Sequence, residues 1–357
     1  MPSDPDLLFQ NRILPRVSRT FALTIPQLPP GLEEIVANAY LLCRLADTIE
    51  DDPELDATSK SDFLGEFLTV IADNAGGEDF AMRLADRLSP DTRSADRELV
   101  ENTATVVRIL SRFTPTQRQA VVRCVTTMCR GMPEFQAGKT LDGLPTLVDL
   151  DRYCYFVAGI VGEMLTDLFC EHCPELDGHR EEMMALSVCF GQGLQMTNIL
   201  KDIWEDREAN TCWLPRSMFR NLEGGLLAAM QNRDSTAMTG GIEKLVGIAH
   251  AHLRAALRYT QMIPRHEPGI RRFCLWAIGM AVLTLRRIYN SPGYDNGTDV
   301  KISRRAVRVT VVTCNLAQYS NLAVGLLFAL ASRGLPLADD GEHCPPPGAR
   351  LTSDRLT

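Results

Sequence analysis

The chain has 357 residues, 45% of them hydrophobic and 23% charged, with a formal charge of 37 − 45 = −8. This composition belongs to a soluble globular protein and excludes wholesale disorder. A pI near 5.4 argues against a nucleic-acid partner, which a basic excess would mark.

The first residues, Met1-Pro2-Ser3-Asp4-Pro5-Asp6, lack the basic and apolar regions of a signal peptide. Helical spacing is set by Leu32, Ile35, Val36, Ala39, Tyr40, Cys43 and Ala46. Thr114-Pro115-Thr116-Gln117 carries a cap residue, a proline at the first helical position and a glutamine at the third. Asp142-Gly143-Leu144-Pro145 is a break, and Thr146 opens a helix expected to run through Asp151 to about Phe169. Its apolar positions are Tyr153, Val157, Ile160, Val161, Met164, Leu165 and Leu168. Ile263 to Gly269, with two prolines, is a second break.

Phe273 to Leu285 and Asn321 to Ser332 read as the longest weakly polar stretches. Both fall short of the roughly 20 residues that a membrane span needs. Residues 1–334 are therefore expected to form one large all-α domain, its helices packed around a central cavity. The polar, proline-rich residues 335–357 are expected to be a loosely ordered tail outside the site.

Eleven cysteines, an odd count, sit mostly in apolar runs. They read as buried thiols of a reducing compartment, so a cytoplasmic protein is expected. Cys170-Glu171-His172-Cys173 resembles half of a metal site but has no matching second half. The six histidines show no ligand spacing.

The central feature is Asp47-Thr48-Ile49-Glu50-Asp51, repeated 155 residues later as Asp202-Ile203-Trp204-Glu205-Asp206. On a helix, positions i, i+3 and i+4 share one face, where like charges are destabilising by roughly 0.2–0.5 kcal/mol per pair. Folding alone gives no reason to stack carboxylates twice inside apolar helices. Mg²⁺ gives one, because it is held by a few carboxylates, waters and substrate phosphates. Two such faces set opposite each other would hold a diphosphate. Arg44, one turn before Asp47, and Lys201, directly before Asp202, suit phosphate oxygens or pair with the acids themselves. A solvated acidic face is the competing reading of either pentad alone.

These residues and their flanks resemble the squalene/phytoene synthase family of head-to-head prenyl transferases. The matching segments are Ser18-Arg19-Thr20-Phe21-Ala22, Tyr40 to Asp52, Tyr153 to Gly162, and Gly191 to Asp206 with Trp213-Leu214-Pro215 following. Within the family, Tyr153-Cys154, Val157-Ala158-Gly159, Phe273-Cys274 and Lys301-Ile302-Ser303-Arg304 are most similar to the squalene synthases, bacterial ones in particular. The resemblance implies an isoprenoid-synthase-type fold and two farnesyl diphosphates as substrates. It implies that Asp47, Glu50, Asp51, Asp202, Glu205 and Asp206 bind Mg²⁺ and diphosphate, with Gln195 and Asn198 supporting the second metal site. Ser18, Arg19, Thr20, Phe21, Arg44 and Lys201 would bind substrate. Val157, Val161 and Leu165 would wall the prenyl channel. Tyr40 and Tyr153 would line the reaction centre, and Phe273 would face a later carbocation. Lys301 and Arg304 would hold the NADPH phosphate.

The residues fit that chemistry. A carbocation must be kept from water, which calls for an apolar, aromatic-lined space. Tyr153, Val157 and Val161 share a stripe, and Gly159 and Gly162 let a neighbour approach. Phe273 and Trp276 offer π faces to a cation, or else pack as core. Lys301, Arg304, Arg305 and Arg308 form a basic cluster or a solvated face. Two departures stand out. Asn210 to Leu214 lacks an arginine that some members carry before Pro215, and Ser303 stands where some squalene synthases have a further base.

The expected function is Mg²⁺-dependent joining of two farnesyl diphosphates to presqualene diphosphate, then NADPH-dependent reduction to squalene. Peripheral contact with the inner membrane for product release goes with it. The rivals are a dehydrosqualene or phytoene synthase without the reduction, a non-catalytic scaffold of a prenyl-lipid complex and, more distantly, a terpene cyclase.

Overall fold

In a computed structural model, residues 4–18, 20–136 and 139–338 are described. Among them helices account for all regular structure, apart from one isolated bridge between Leu144 and Pro215. The chain is all-α. Arg19 and the tail from residue 339 onward lie outside the described residues.

The described residues fall into two compact units. One comprises residues up to 136 together with 167–172, the other residues 139–166 and 173–338. The first is organised on helix Pro30–Asp51, whose Ile35, Ala39, Leu42 and Ala46 are fully buried. Helix Pro115–Gln136 packs beside it. The cap read from the sequence is present there: Gln117 N–H donates to Thr114 Oγ1 and Thr114 N–H to Gln117 Oε1, both at 3.2 Å.

The second unit is built on helices Arg180–Lys201, Thr239–Met262 and Pro268–Asn290. Thr146 caps its first helix through a reciprocal bond set with Asp149. That helix extends past Phe169 as expected, with one change of winding. It runs over Leu147–Cys154, loosens into a π turn at Tyr155–Gly159, and resumes over Ile160–His172. The π turn lies where glycines bring backbones together. A methyl at Gly191 would lie 2.3 Å from the Ala158 carbonyl oxygen, and one at Gly162 2.2 Å from that of Ser187. Such contacts leave no room for side chains, and π turns concentrate at functional sites.

The longest apolar helical runs differ from those read in the sequence. Leu147–His172 and Pro268–Asn290 are long and apolar enough to cross a membrane, but most of each is buried. Interleaved Asp149, Asp151, Arg152 and Glu163 hid the first of these from inspection. Burial of this extent is what core helices of a soluble protein show. The ten described cysteines are buried and in no disulfide.

Leu335 is buried, and the Pro336 carbonyl lies 2.8 Å from His250 Nδ1. The chain just after Gly334 is thus tied to helix Thr239–Met262.

Candidate active site

The first pentad occupies the last turn of helix Pro30–Asp51. Asp47 is half-buried, Glu50 buried and Asp51 exposed. Burial pushes the Asp47 carboxyl up to about 7, and the charges of Asp51 and Glu50 add to this against the pull of Arg44. A carboxyl so placed gains from a bound cation. Asp52, which directly follows, has a different task. Its carboxylate accepts from the backbone N–H groups of Glu54 and Ser89, each at 3.0 Å, and from the Thr92 hydroxyl at 2.9 Å. It fastens the chain leaving the helix.

Arg44 is held by a residue far along the chain. It makes a fork to Asp96, with Nε at 3.0 Å from Oδ1 and Nη2 at 3.1 Å from Oδ2, while Arg93 Nε reaches the same carboxylate at 2.6 Å. Burial works against the Asp96 charge, but these two guanidiniums hold its carboxyl below the usual range. The pair fixes Arg44 beside Asp47, and Asp96 is a positioning residue that the sequence did not reveal. Tyr40 and Phe21 lie 5.4 Å apart between ring centres. The Tyr40 hydroxyl donates to the Val17 carbonyl at 3.3 Å, and burial raises its pKa. Ser18 Oγ accepts from Phe21 N–H at 3.1 Å, which turns the chain so that exposed Thr20 follows. Ser18, Thr20, Phe21, Tyr40, Arg44 and Asp47 thus belong to one neighbourhood of the first unit.

In the second unit, Asp206 N–H still bonds the Asp202 carbonyl at 2.9 Å, as a helix requires. The pentad is not on one unbroken helix, however. Asp202 ends helix Arg180–Lys201, and a short helix, Ile203–Glu208, starts immediately. Lys201 Nζ lies 3.0 Å from Asp202 Oδ2 and donates to Asn198 Oδ1 at 3.2 Å. Asn198, Lys201 and Asp202 are therefore joined, and the lysine pairs with the pentad. Gln195, one turn earlier, is half-buried. Glu205 Oε1 accepts from Gly297 N–H at 3.0 Å. Trp204 donates through Nε1 to the Tyr294 carbonyl at 2.7 Å, and Tyr294 OH bonds the Leu200 carbonyl. Residues 294–297 therefore brace the pentad from behind.

Tyr153 stacks on Trp213 with ring centres 3.9 Å apart and planes 8° from parallel, and Lys139 Nζ sits 5.4 Å from the Trp213 ring centre. The loop carrying Trp213 is pinned: Cys212 N–H donates to the Thr140 carbonyl and Leu144 N–H to the Leu214 carbonyl, both at 3.0 Å. Val157, Val161 and Leu165, spaced four apart, are half-buried, whereas Ile160, Met164 and Leu168 are buried. The first three thus form an accessible apolar stripe, as a channel wall would. Phe273 is buried; Trp276 is packed as core with Leu275, Cys314 and Val324, its Nε1 donating to Asn315 Oδ1 at 3.0 Å. Lys301 and Arg304 are exposed, and Ser303 caps helix Arg304–Ala317 through Ala306 N–H at 3.1 Å. A hydroxyl at 303 therefore has a local reason that a base would not satisfy.

Among the described residues, Cys173, His266 and Glu267 bring ligand atoms within 4.8 Å of one another. This group is unrelated to the pentads, and of the half-site read at Cys170-Glu171-His172-Cys173 it contains Cys173 alone. The carboxylates of the pentads suit Mg²⁺, an ion that keeps waters and substrate phosphates in its shell.

Residues 14–306 match the family described as squalene/phytoene synthase. The chain belongs to that family and is a prenyl transferase by descent. It is 31% identical over 323 residues to "Squalene synthase BSS" of Botryococcus braunii, covering 88% of this chain and 66% of that protein. It is 29% identical over 331 residues to "Squalene synthase ERG9" of Candida albicans, covering 91% and 70%. The solved complex of TcSQS with the ligand E5700 superposes with a TM-score of 0.75 at 25% identity, covering 92% of each chain. The chain thus spans about two thirds of the length of these curated relatives.

Proposed function

We propose that this protein is a squalene synthase, joining two farnesyl diphosphates to presqualene diphosphate and reducing that product to squalene with NADPH. The observation that carries the reading is the pair of carboxylate pentads, each beside a cation and each braced by neighbouring hydrogen bonds. The curated squalene synthases among its relatives support it.

Asp47, Glu50 and Asp51, and Asp202, Glu205 and Asp206 with Asn198, would hold Mg²⁺ and through it the diphosphate oxygens. Bound there, Mg²⁺ supplies electrophilic stabilisation of the departing diphosphate. Arg44 and Lys201 add fixed positive charge for the same oxygens. The Val157, Val161 and Leu165 stripe holds prenyl chain and excludes water from the cation. The Tyr153 phenol, oriented by Trp213, is the group suited to relay the proton lost when the cyclopropane ring closes, passing its own to an oxygen of the departed diphosphate. Lys301 and Arg304 would bind the phosphate of NADPH, which supplies the hydride. Ser303, spent on a helix cap, is the observation that keeps a dehydrosqualene or phytoene synthase as the second reading. We place the protein in the cytoplasm, where its thiols stay reduced, with peripheral membrane contact for release of a hydrocarbon.

Asp47→Asn and Asp202→Asn test the reading. Each should lower turnover of farnesyl diphosphate by about 100-fold or more. If neither does, the carboxylates are surface features and the scaffold reading replaces this one.

A further inference from the structure

Helices Arg304–Ala317 and Asn321–Ala331 are joined by three residues and pack side by side, so they form an antiparallel hairpin. Its inner face, with Cys314, Ala317 and Val324, packs on Leu275 and Trp276. The hairpin is fixed rather than loosely attached. Fully buried Arg271 donates through Nη2 to Asn321 Oδ1 at 2.7 Å and through Nη1 to the Ile263 carbonyl at 2.6 Å. Asn321 Nδ2 in turn donates to the Gln261 carbonyl at 2.9 Å.

The outer face is apolar. Val312, Leu316, Tyr319, Leu322, Leu326 and Leu330 are all exposed, Leu316 by 78% and Leu322 by 75% at the hairpin tip. An apolar cavity of ≈ 270 Å³ between these helices and Pro268–Asn290 opens beside Val309 and Leu330, which continues the surface inward. Contiguous exposed apolar surface of this kind marks an interaction site.

Charge identifies the partner. The 338 − 299 = 39 residues between Asp299 and Asp339 contain no Asp or Glu, but include Lys301, Arg304, Arg305, Arg308 and Arg333. This segment carries +5, and the remainder of the chain 32 − 45 = −13. Arg305, Arg308 and Arg333 are exposed and, among the described residues, form no ion pair. The antiparallel arrangement puts all three at the end of the hairpin away from its tip. An apolar face flanked by uncompensated cations is the pattern of a surface that lies in the headgroup layer of an anionic bilayer. A second copy of the chain fits less well. A two-fold contact on this face would set cations against cations or against the apolar tip.

We propose that the outer face of this hairpin docks the protein on anionic lipid bilayers, the leucines entering the interface and Arg305, Arg308 and Arg333 meeting phosphate headgroups. Its use, delivering an insoluble hydrocarbon to a lipid phase, rests on the squalene synthase reading, but the binding does not. Flotation of the full chain tests it, with vesicles of phosphatidylcholine alone and of equal parts phosphatidylcholine and phosphatidylglycerol. The protein should float with the anionic vesicles, less so at high salt. The Leu316→Ser/Leu322→Ser and Arg305→Gln/Arg308→Gln variants should each lose binding by about ten-fold. Their melting temperatures should stay unchanged, and so should the turnover of Leu316→Ser/Leu322→Ser in detergent. The proposal is overturned if the unaltered protein ignores both vesicle types, or if both variants float like it. It is equally overturned if Leu316→Ser/Leu322→Ser converts a dimer to a monomer on size exclusion, which would make the face a contact between copies. Turnover in detergent without vesicle binding overturns docking alone, and vesicle binding without turnover on farnesyl diphosphate overturns the transferase reading alone.

Discussion

Glu205 Oε1 and Gly297 are matched so closely that a methyl group at 297 would lie 2.6 Å from that oxygen, which the Gly297 N–H now meets at 3.0 Å. The same methyl would also approach the Lys201 carbonyl oxygen at 2.8 Å. Only glycine lets the backbone aim the carboxylate of the second pentad.

Gly297→Ala should therefore push Glu205 out of position. Overpacking of this kind destabilises by about 1–3 kcal/mol. The expected outcome is a raised Mg²⁺ requirement and about a ten-fold loss in kcat/KM, since small displacements in a site are costly. Titrating activity with Mg²⁺ checks this. An unchanged Mg²⁺ midpoint would show that Glu205 takes no part in metal binding.

Asp47 sets a pH dependence. Its folded-state pKa of about 7 lies above its ordinary value of 3.8. The folded, metal-free protein thus holds a proton that the unfolded chain has already released, so its stability falls as pH rises from about 4 through about 7. Mg²⁺ needs the carboxylate and must displace that proton. Mg²⁺ affinity should therefore rise between pH 6 and 8, with proton release measurable by titration calorimetry in two buffers of different ionisation enthalpy. Asp47→Asn should remove the proton release and make the melting temperature fall less as pH rises from about 4 through about 7.

Asp51 and Asp52 are neighbours with separate tasks. Asp52→Ala leaves the buried N–H of Ser89 and the Thr92 hydroxyl without their acceptor. Each unsatisfied group costs about 1–3 kcal/mol, so the melting temperature should drop while the Mg²⁺ midpoint stays. Asp51→Ala should do the reverse, since its side chain is exposed. Melting curves and Mg²⁺ titrations of both variants separate the two roles.

Trp213 holds Tyr153 by a parallel stack at 3.9 Å. Trp213→Ala removes a buried aromatic and should cost about 3–5 kcal/mol. Trp213→Phe keeps an aromatic surface and should retain the fold. The informative measurement is kcat against KM for Trp213→Phe: a fall in kcat with KM held marks loss of Tyr153 orientation, whereas no change in either marks Trp213 as packing alone.

What could be read from the sequence was local. The pentads, the caps at Thr114 and Thr146, and the breaks near Gly143 and Pro264 each lie within a few residues, and side-chain periodicity displays them directly. What escaped were pairings across long separations. Arg44 meets Asp96, Tyr153 meets Trp213, and Glu205 meets Gly297, and no spacing rule links such positions. The π turn at Tyr155–Gly159 escaped for a related reason. It answers backbone contacts made by Gly162 and Gly191, whereas periodicity reports only which face is apolar. The stretch Asn321 to Ser332 read as merely short and greasy, because whether its leucines face core or solvent depends on partners elsewhere in the chain.

The account stands most directly on product identity. The purified protein is incubated with Mg²⁺ and farnesyl diphosphate, with and without NADPH, and the products are identified by mass. Squalene formed only when NADPH is present is the predicted result. The same product in both reactions would contradict a squalene synthase.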